Sequence, residues 1–265
     1  MSSAQIIFAA HHQSPWAQHF GDGLKRHGWT VEYNTGRRAD LLVLWGVRNQ
    51  GAIRAQKAAG GEVCVLERGY LGDRFKWTSV SFGGGLNGRG IYKGPDDPVR
   101  FDRHFGGLMR PWRDNEDGYG LILGQVVGDM SVDGVDVARH WAKWADDLKA
   151  LGIDPAFRGH PLASRTSCGF AGAMAQGQSL DEALAAARLA VTWNSNAAVE
   201  AVLAGVPAIT MDKGAMAWEV TGHDIMAPPP KPDRTVWAAA LAWKQWTLDE
   251  MSSGYCWEMA GLQCG

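Results

Sequence analysis

Residues 190–212, AVTWNSNAAVEAVLAGVPAITMD, constrain the fold more than any other stretch of the chain. Ala190 to Trp193 reads as a short apolar strand, a polar turn follows, and a helix starts near Ala197. Gly205-Val206-Pro207 then turns the chain into a second strand at Ala208 to Met211. Two neighbouring strands joined through a helix run parallel in one sheet, which restricts the region to an α/β layer architecture. Thr192, Asn194, Ser195 and Asn196 crowd hydroxyls and amides onto the first strand's carboxyl end. The helix presents unpaired N–H groups and its positive dipole end at the same place. Phosphate binds in such surroundings, although Ser and Asn cap helices equally well without a ligand.

The same alternation recurs through both halves. In the first, Gln5 to Ala10, Trp29 to Tyr33, Leu41 to Trp45 and Val63 to Leu66 are strands, separated by helical patterns in Trp16, Phe20 and Leu24 and over Ala52 to Ala59. In the second, a strand at Leu121 to Leu123 precedes a helix from about Asp136 to Leu151. A short strand in Asp154 to Leu162, a helix at Ser179 to Leu189 and the 190–212 unit follow. The expected fold is α/β, with parallel sheets and ligands at the strands' carboxyl ends. Those ends carry His11, His12, Gly46, Glu67 and Arg68 in the first half. The second half offers three polar loops: Gln125, Asp129 and Ser131; Arg158 and His160; and Ser195 and Asn196. An arginine, a histidine, a hydroxyl and a helix N-terminus together suit a phosphodiester or pyrophosphate leaving group, which needs donors where negative charge accumulates.

The segment Gly69 to Arg113 loses periodicity and reads as a loop; no strand is expected before its glycines at 83 to 85. From Arg74 to Arg113 it holds eight Lys/Arg and three Asp interleaved with aromatics. Cations for a backbone and rings for bases are what a groove for single-stranded or flipped nucleic acid requires; a solvated loop with inward-packed rings has the same composition. Arg68, Arg74, Lys76, Trp77 and Arg89 are the candidates for contacting such a partner. Residues 1–113 carry 16 Lys+Arg against 9 Asp+Glu, and residues 114–265 carry 10 against 19. That asymmetry assigns the halves different tasks, with an anionic partner for the first or attraction between the two. The division is therefore 1–113, 114–234, and a C-terminal helix over Thr235 to Met251 packing back on the domains within 235–265.

No apolar run approaches the roughly 20 residues that span a bilayer, and MSSAQIIFAAHHQ lacks a basic leader region. A cytoplasmic protein is expected. Cys64, Cys168, Cys256 and Cys264 form no CxxC pair, so neither a zinc site nor a disulfide framework is indicated.

LGQVVGDMSV (123–132), FRGHPLA (157–163) and TWNSNAAVEAVLAGVPAITM (192–211) resemble, in order and spacing, three signatures of the bacterial capsule-synthesis glycosyltransferases, the Kdo transferases and polysialyltransferases. The resemblance covers roughly 119–225. It implies a GT-B architecture, two Rossmann-like domains facing across a cleft, with the nucleotide-sugar on the second and the acceptor on the first. By position, His160 and Ser195 contact the donor phosphate, Gln125 and Ser131 line the nucleotide pocket, and Glu200 sits on the helix behind it. Asp129, Arg158, Thr192 and Asn196 complete the donor-binding set. The family's Lys-Pro-His-Pro is Arg158-Gly159-His160-Pro161 here, and its paired hydroxyls are Asn194-Ser195-Asn196, so a UDP-sugar and a CMP-sugar are both open. SPWAQHFGDGLKRHGW, VLERGYLGDRFKWTS and GGLNGRG resemble instead phage-encoded proteins of similar size. That likeness points to DNA carrying 5-hydroxymethylpyrimidines as acceptor; a glycan is the alternative.

An inverting transferase needs a base for the acceptor hydroxyl. Glu67 is the first candidate, with His12 and Asp73 behind it. No metal and no tightly bound cofactor are required on this reading, because cationic and N–H donors stabilise the leaving group. A non-catalytic nucleotide or nucleic-acid binding module would use the same pocket. An NAD-type dehydrogenase is disfavoured, since neither half opens with a G-x-G-x-x-G turn.

Overall fold

The computed structural model describes residues 2–8, 14–95, 97–162, 173–174 and 178–260. The first unit begins with β1 (Ser3–Ile7), α1 (Pro15–Arg26), β2 (Thr30–Tyr33), β3 (Leu41–Trp45), α2 (Gln50–Ala58), β4 (Glu62–Arg68), β5 (Thr78–Phe82) and α3 (Val99–Phe105). The second, residues 106–234, contains β6 (Tyr119–Leu123), α4 (Val137–Ala150), β7 (Pro155–Arg158), β8 (Ala173–Met174), α5 (Leu180–Ala185), β9 (Ala187–Thr192), α6 (Ala197–Leu203) and β10 (Ala208–Thr210). The chain then rejoins the first unit as α7 (Thr235–Ala242), β11 (Gln245–Trp246), α8 (Leu248–Ser252) and α9 (Tyr255–Met259).

The second unit has the strand order β10-β9-β6-β7-β8, and every pairing is parallel. The order reverses between β6 and β9, so their carboxyl ends form the topological switch point at which open α/β sheets bind ligands. Helix α4 covers this sheet through one stripe, burying Val137, Trp141, Trp144, Ala145 and Leu148 at helical spacing. Trp141 lies against Phe157 of β7, with ring centroids 5.1 Å apart. The turn after α6 leaves no room for a side chain. Gly205 has φ +79°, and a Cβ there would sit 2.0 Å from the carbonyl oxygen of Pro111. Segment 106–113 is tied to the same place, with Arg110 N donating to Leu203 O and Arg113 N to Gly205 O.

The first unit has the order β11-β5-β4-β3-β1-β2, and only β4-β3-β1-β2 is parallel. The four strands expected in this half pair in parallel as expected, and two further strands extend the sheet the other way: β5 runs antiparallel to β4, and β11 antiparallel to β5. The cause is the connection: the segment between β4 and β5 contains no helix, and a parallel return needs a crossover of a dozen or more residues. Segment 69–113 is accordingly not all loop. All five residues of β5 are buried, and a strand does precede the glycines at 83 to 85.

The C-terminal segment differs from the single helix expected. The helix stops before Gln245, whose side-chain oxygen accepts from Tyr70 N at 2.6 Å and Leu71 N at 3.0 Å while its backbone pairs with β5. Trp243, Trp246, Met251, Cys256 and Trp257 enter the first unit's core beside Phe20, Leu24 and Phe82. Arg100 forms a bidentate pair with Glu250 at 2.6 and 2.7 Å, donates to the carbonyls of Ala242 and Gln245, and lies over the Trp246 ring at 4.5 Å. Burial alone would raise the Glu250 pKa; the hydrogen bonds from Arg100 and the Thr247 cap hold it below the ordinary range. Among the described residues no helix is long and apolar enough to cross a membrane.

Candidate functional site

At the switch point of the second unit, the loop after β6 and the loop after β9 are joined by side-chain amides. Gln125 Nε2 donates to Asn194 Oδ1 at 2.7 Å, and Gln125 Oε1 accepts from Asn194 N at 3.0 Å. Asn194 Nδ2 donates to Ser131 O at 2.7 Å and to Asp212 Oδ2 at 2.6 Å. Thr192 Oγ1 donates to Leu123 O at 3.0 Å. Gln125, Asn194 and Thr192 are only 7, 4 and 1% exposed. Burying amides is costly unless they are paired, and here both Asn194 N–H bonds are used. Three loops, after β6, β9 and β10, are thereby held as one rigid piece.

The other donor-side candidates lie on the neighbouring loops and on α6. Ser195 is half-buried; its Oγ accepts from Ala197 N at 3.3 Å, and its carbonyl and that of Asn196 start α6. Ser131 is half-buried and held by Asp129, whose Oδ1 accepts from Ser131 N at 2.9 Å. Arg158 ends β7 in register with Leu123, which brings it to the same sheet edge, and it is half-buried. His160 lies beyond it, with Nδ1 accepting from Leu162 N at 3.2 Å. Glu200 is half-buried on α6. Of the nine donor-side candidates, Gln125, Asp129, Ser131 and Thr192 are thus hydrogen-bonded into one piece with Asn194. Arg158, Ser195 and Asn196 share the edge, and His160 follows Arg158 on the loop after β7.

Sequence reasoning counted Asn194 in the polar turn at the phosphate-type edge but left it out of the donor-binding set, and it passed over Asp212. Both follow strands at their carboxyl ends, the rule that selected the other candidates. Trp193, at the end of β9, was also unassigned; its ring lies 4.8 Å from that of His140 on α4.

In the first unit, Glu67 lies near the carboxyl end of β4 and is half-buried. Its Oε1 accepts from Arg68 N at 2.8 Å, and its Oε2 lies over Gly46, at 3.4 Å from where a Cβ would stand. Gly46 follows β3, so the carboxylate faces the adjacent strand's carboxyl end. The Arg68 guanidinium lies 4.5 Å from the Phe75 ring centroid and 5.4 Å from that of Trp45. Asp73 is exposed and caps the following turn, Oδ1 accepting from Phe75 N at 3.0 Å. His12 lies outside the described residues. Lys76 and Arg89 are exposed, and Arg74 donates from Nε to Gly69 O at 2.7 Å. Trp77 is only 9% exposed and packs on Phe105 at 4.9 Å, which places its ring in the core. Phe75, 78% exposed, is the accessible ring of this segment. Among the described residues no three His, Cys, Asp or Glu side chains gather as a metal-binding group.

The chain matches no protein-family model and no curated protein. Among solved structures it is similar to the β-Kdo 2,7-transferase of Thermosulfurimonas dismutans KpsC, with 15% identity and a TM-score of 0.59, over 97% of this chain and 100% of that one. It is also similar to the β-Kdo 2,4-transferase of the same organism's KpsC, with 13% identity and a TM-score of 0.56, over 97% and 98%. At these identities the likeness is one of fold: two Rossmann-like units of the GT-B class.

Proposed function

We propose that this protein is a nucleotide-sugar-dependent glycosyltransferase that inverts at the anomeric carbon. The observation that carries the reading is the Gln125–Asn194 network at the switch point, which fixes Ser131, Ser195 and the start of α6 around one edge. The fold likeness to two Kdo transferases agrees with it. On this reading the donor's phosphates meet Ser195, the backbone N–H groups of residues 195–197, Arg158 and His160. Gln125, Thr192 and Asn194 position that edge from beneath. As the bond from the anomeric carbon to the phosphate oxygen breaks, the electron pair passes to that oxygen, where fixed donors stabilise it. The acceptor hydroxyl forms the new bond and loses its proton to a base, for which Glu67 is the candidate. No step requires a metal, so activity is expected to persist in EDTA. A His160→Ala variant tests the donor site: weaker UDP or CMP binding supports it, and unchanged binding with unchanged transfer contradicts it.

Two acceptor classes follow from different observations. Exposed Arg68, Lys76 and Arg89 with the open Phe75 ring favour a polyanion such as DNA bearing 5-hydroxymethylpyrimidines. A glycan is favoured by the charge of the folded first unit, which gains Asp249, Glu250 and Glu258 from the C-terminal segment. It carries 15 Lys+Arg against 12 Asp+Glu, and the second unit 11 against 16. Affinity for modified DNA that falls steeply with salt supports the first class; salt-independent binding of a neutral glycan supports the second.

A further inference from the structure

The second unit has a concavity at the opposite ends of the same strands. A cavity of about 340 Å³ is lined by Ile153, just before β7, by Leu189 early in β9, and by Pro207, just before β10. Leu189 and Asn194 are separated by roughly 17 Å of extended chain, which puts this cavity on the far edge of the sheet from the donor-site network. Its floor is apolar: Ile153, Leu189 and Ile225 are all buried. At its rim stand two large apolar side chains that are unusually open to water, Leu151 and Met226. A lining of this kind leaves apolar surface hydrated at cost and suits the apolar part of a small molecule.

The polar lining is cationic on balance. Lys231 is paired with Asp114. Arg188 is exposed and donates only to the backbone carbonyl of Glu116, at 3.0 Å, with no ion pair among the described residues. Arg113 spends its two terminal nitrogens on the carbonyls of Ala185 and Leu184, while its Nε is buried without a partner. Arg113 is thus occupied within the protein, and Arg188 is the guanidinium open to the cavity.

We propose that this cavity binds a small amphipathic monoanion. Its apolar body rests on Ile153, Leu189, Ile225 and Met226, and its carboxylate, or a comparable single anion, is received by Arg188. The walls include residues 113–116, 225–229 and 231, from the segments by which the chain enters and leaves the second unit. Occupancy therefore joins both segments to the sheet and stabilises that unit. The site is independent of the glycosyltransferase reading.

Octanoate is the probe, titrated calorimetrically into the full chain. The expected result is saturable binding at one site, unchanged by saturating UDP or CMP and accompanied by a rise in the thermal midpoint. Arg188→Ala and Met226→Glu lie at exposed positions and leave the fold intact; each is expected to weaken binding by about tenfold or more. Octanol, which lacks the charge, should bind at least as poorly to the wild type. The proposal is overturned by absence of saturable binding, by octanol binding as tightly as octanoate, by unaltered affinity in both variants, or by displacement with either nucleotide.

Discussion

Gln125 and Asn194 pair reciprocally, side-chain amide to side-chain amide at 2.7 Å and backbone N–H to side-chain oxygen at 3.0 Å, under the edge where the second unit's strand order reverses. Replacing Asn194 by Ala removes the partner of buried Gln125 Nε2 and one hydrogen bond each from Ser131 O and Asp212 Oδ2. Each unsatisfied buried group costs about 1–3 kcal/mol. Asn194→Ala is expected to lower the urea midpoint and to weaken nucleotide binding, whereas Ser195→Ala lowers nucleotide affinity with little change in midpoint. Denaturation and equilibrium binding on the two variants separate the roles.

Gly205 is fixed by geometry. Alanine there requires a positive φ and meets the Pro111 carbonyl oxygen at 2.0 Å. Gly205→Ala is expected to destabilise the second unit by more than about 1 kcal/mol. Hydrogen exchange at Arg113 N, which donates to Gly205 O, is expected to accelerate in parallel.

The Arg100–Glu250 pair makes stability depend on pH in a defined direction. The Glu250 pKa is held below its ordinary value of 4.5 in the folded protein. Its contribution is thus complete above that value and is lost as pH falls through the lowered folded value. Glu250→Gln leaves Arg100, with a side chain only 4% exposed, lacking its counter-charge. The expected cost is about 3 kcal/mol at neutral pH. The difference between wild type and variant should shrink only below pH 4.5, as read from unfolding midpoints across an acid series.

Glu67→Gln tests the base. Loss of general-base catalysis is expected to reduce kcat by about 10²–10⁴-fold while nucleotide affinity stays unchanged. Asp73→Asn, which preserves the turn cap to Phe75 N, is expected to leave the rate near wild type. The opposite ranking would transfer the role to Asp73.

The second unit was largely legible because its information is local. A strand, its polar carboxyl end and the next helix fall within 20 or so residues, so Thr192, Ser195, Asn196 and Arg158 could be placed on one edge from order alone. The roles within that edge were less visible: Gln125 spends its amide on Asn194, and Asp212 enters through a contact that no spacing encodes. The first unit resisted for a different reason. β5, with the sequence TSVSF, hides its strand behind two serines whose hydroxyls are absorbed by the carbonyls of Glu67, Val65 and Gly85. β11 is two residues long and exists because Gln245 reaches Tyr70 and Leu71 across the chain. Trp77 read as an exposed stacking ring because its cover, Phe105, lies far along the chain.

The most direct test of the central claim is the mass of the product after incubating the purified protein with UDP- and CMP-sugars and two acceptors, DNA bearing 5-hydroxymethylpyrimidines and oligosaccharides. The account predicts that one acceptor gains the mass of a single glycosyl residue with release of the matching nucleotide, and that His160→Ala and Glu67→Gln suppress the gain. An assay in which neither acceptor gains mass and no nucleotide sugar is consumed, by a protein that binds UDP or CMP, would contradict it and leave a binding module in its place.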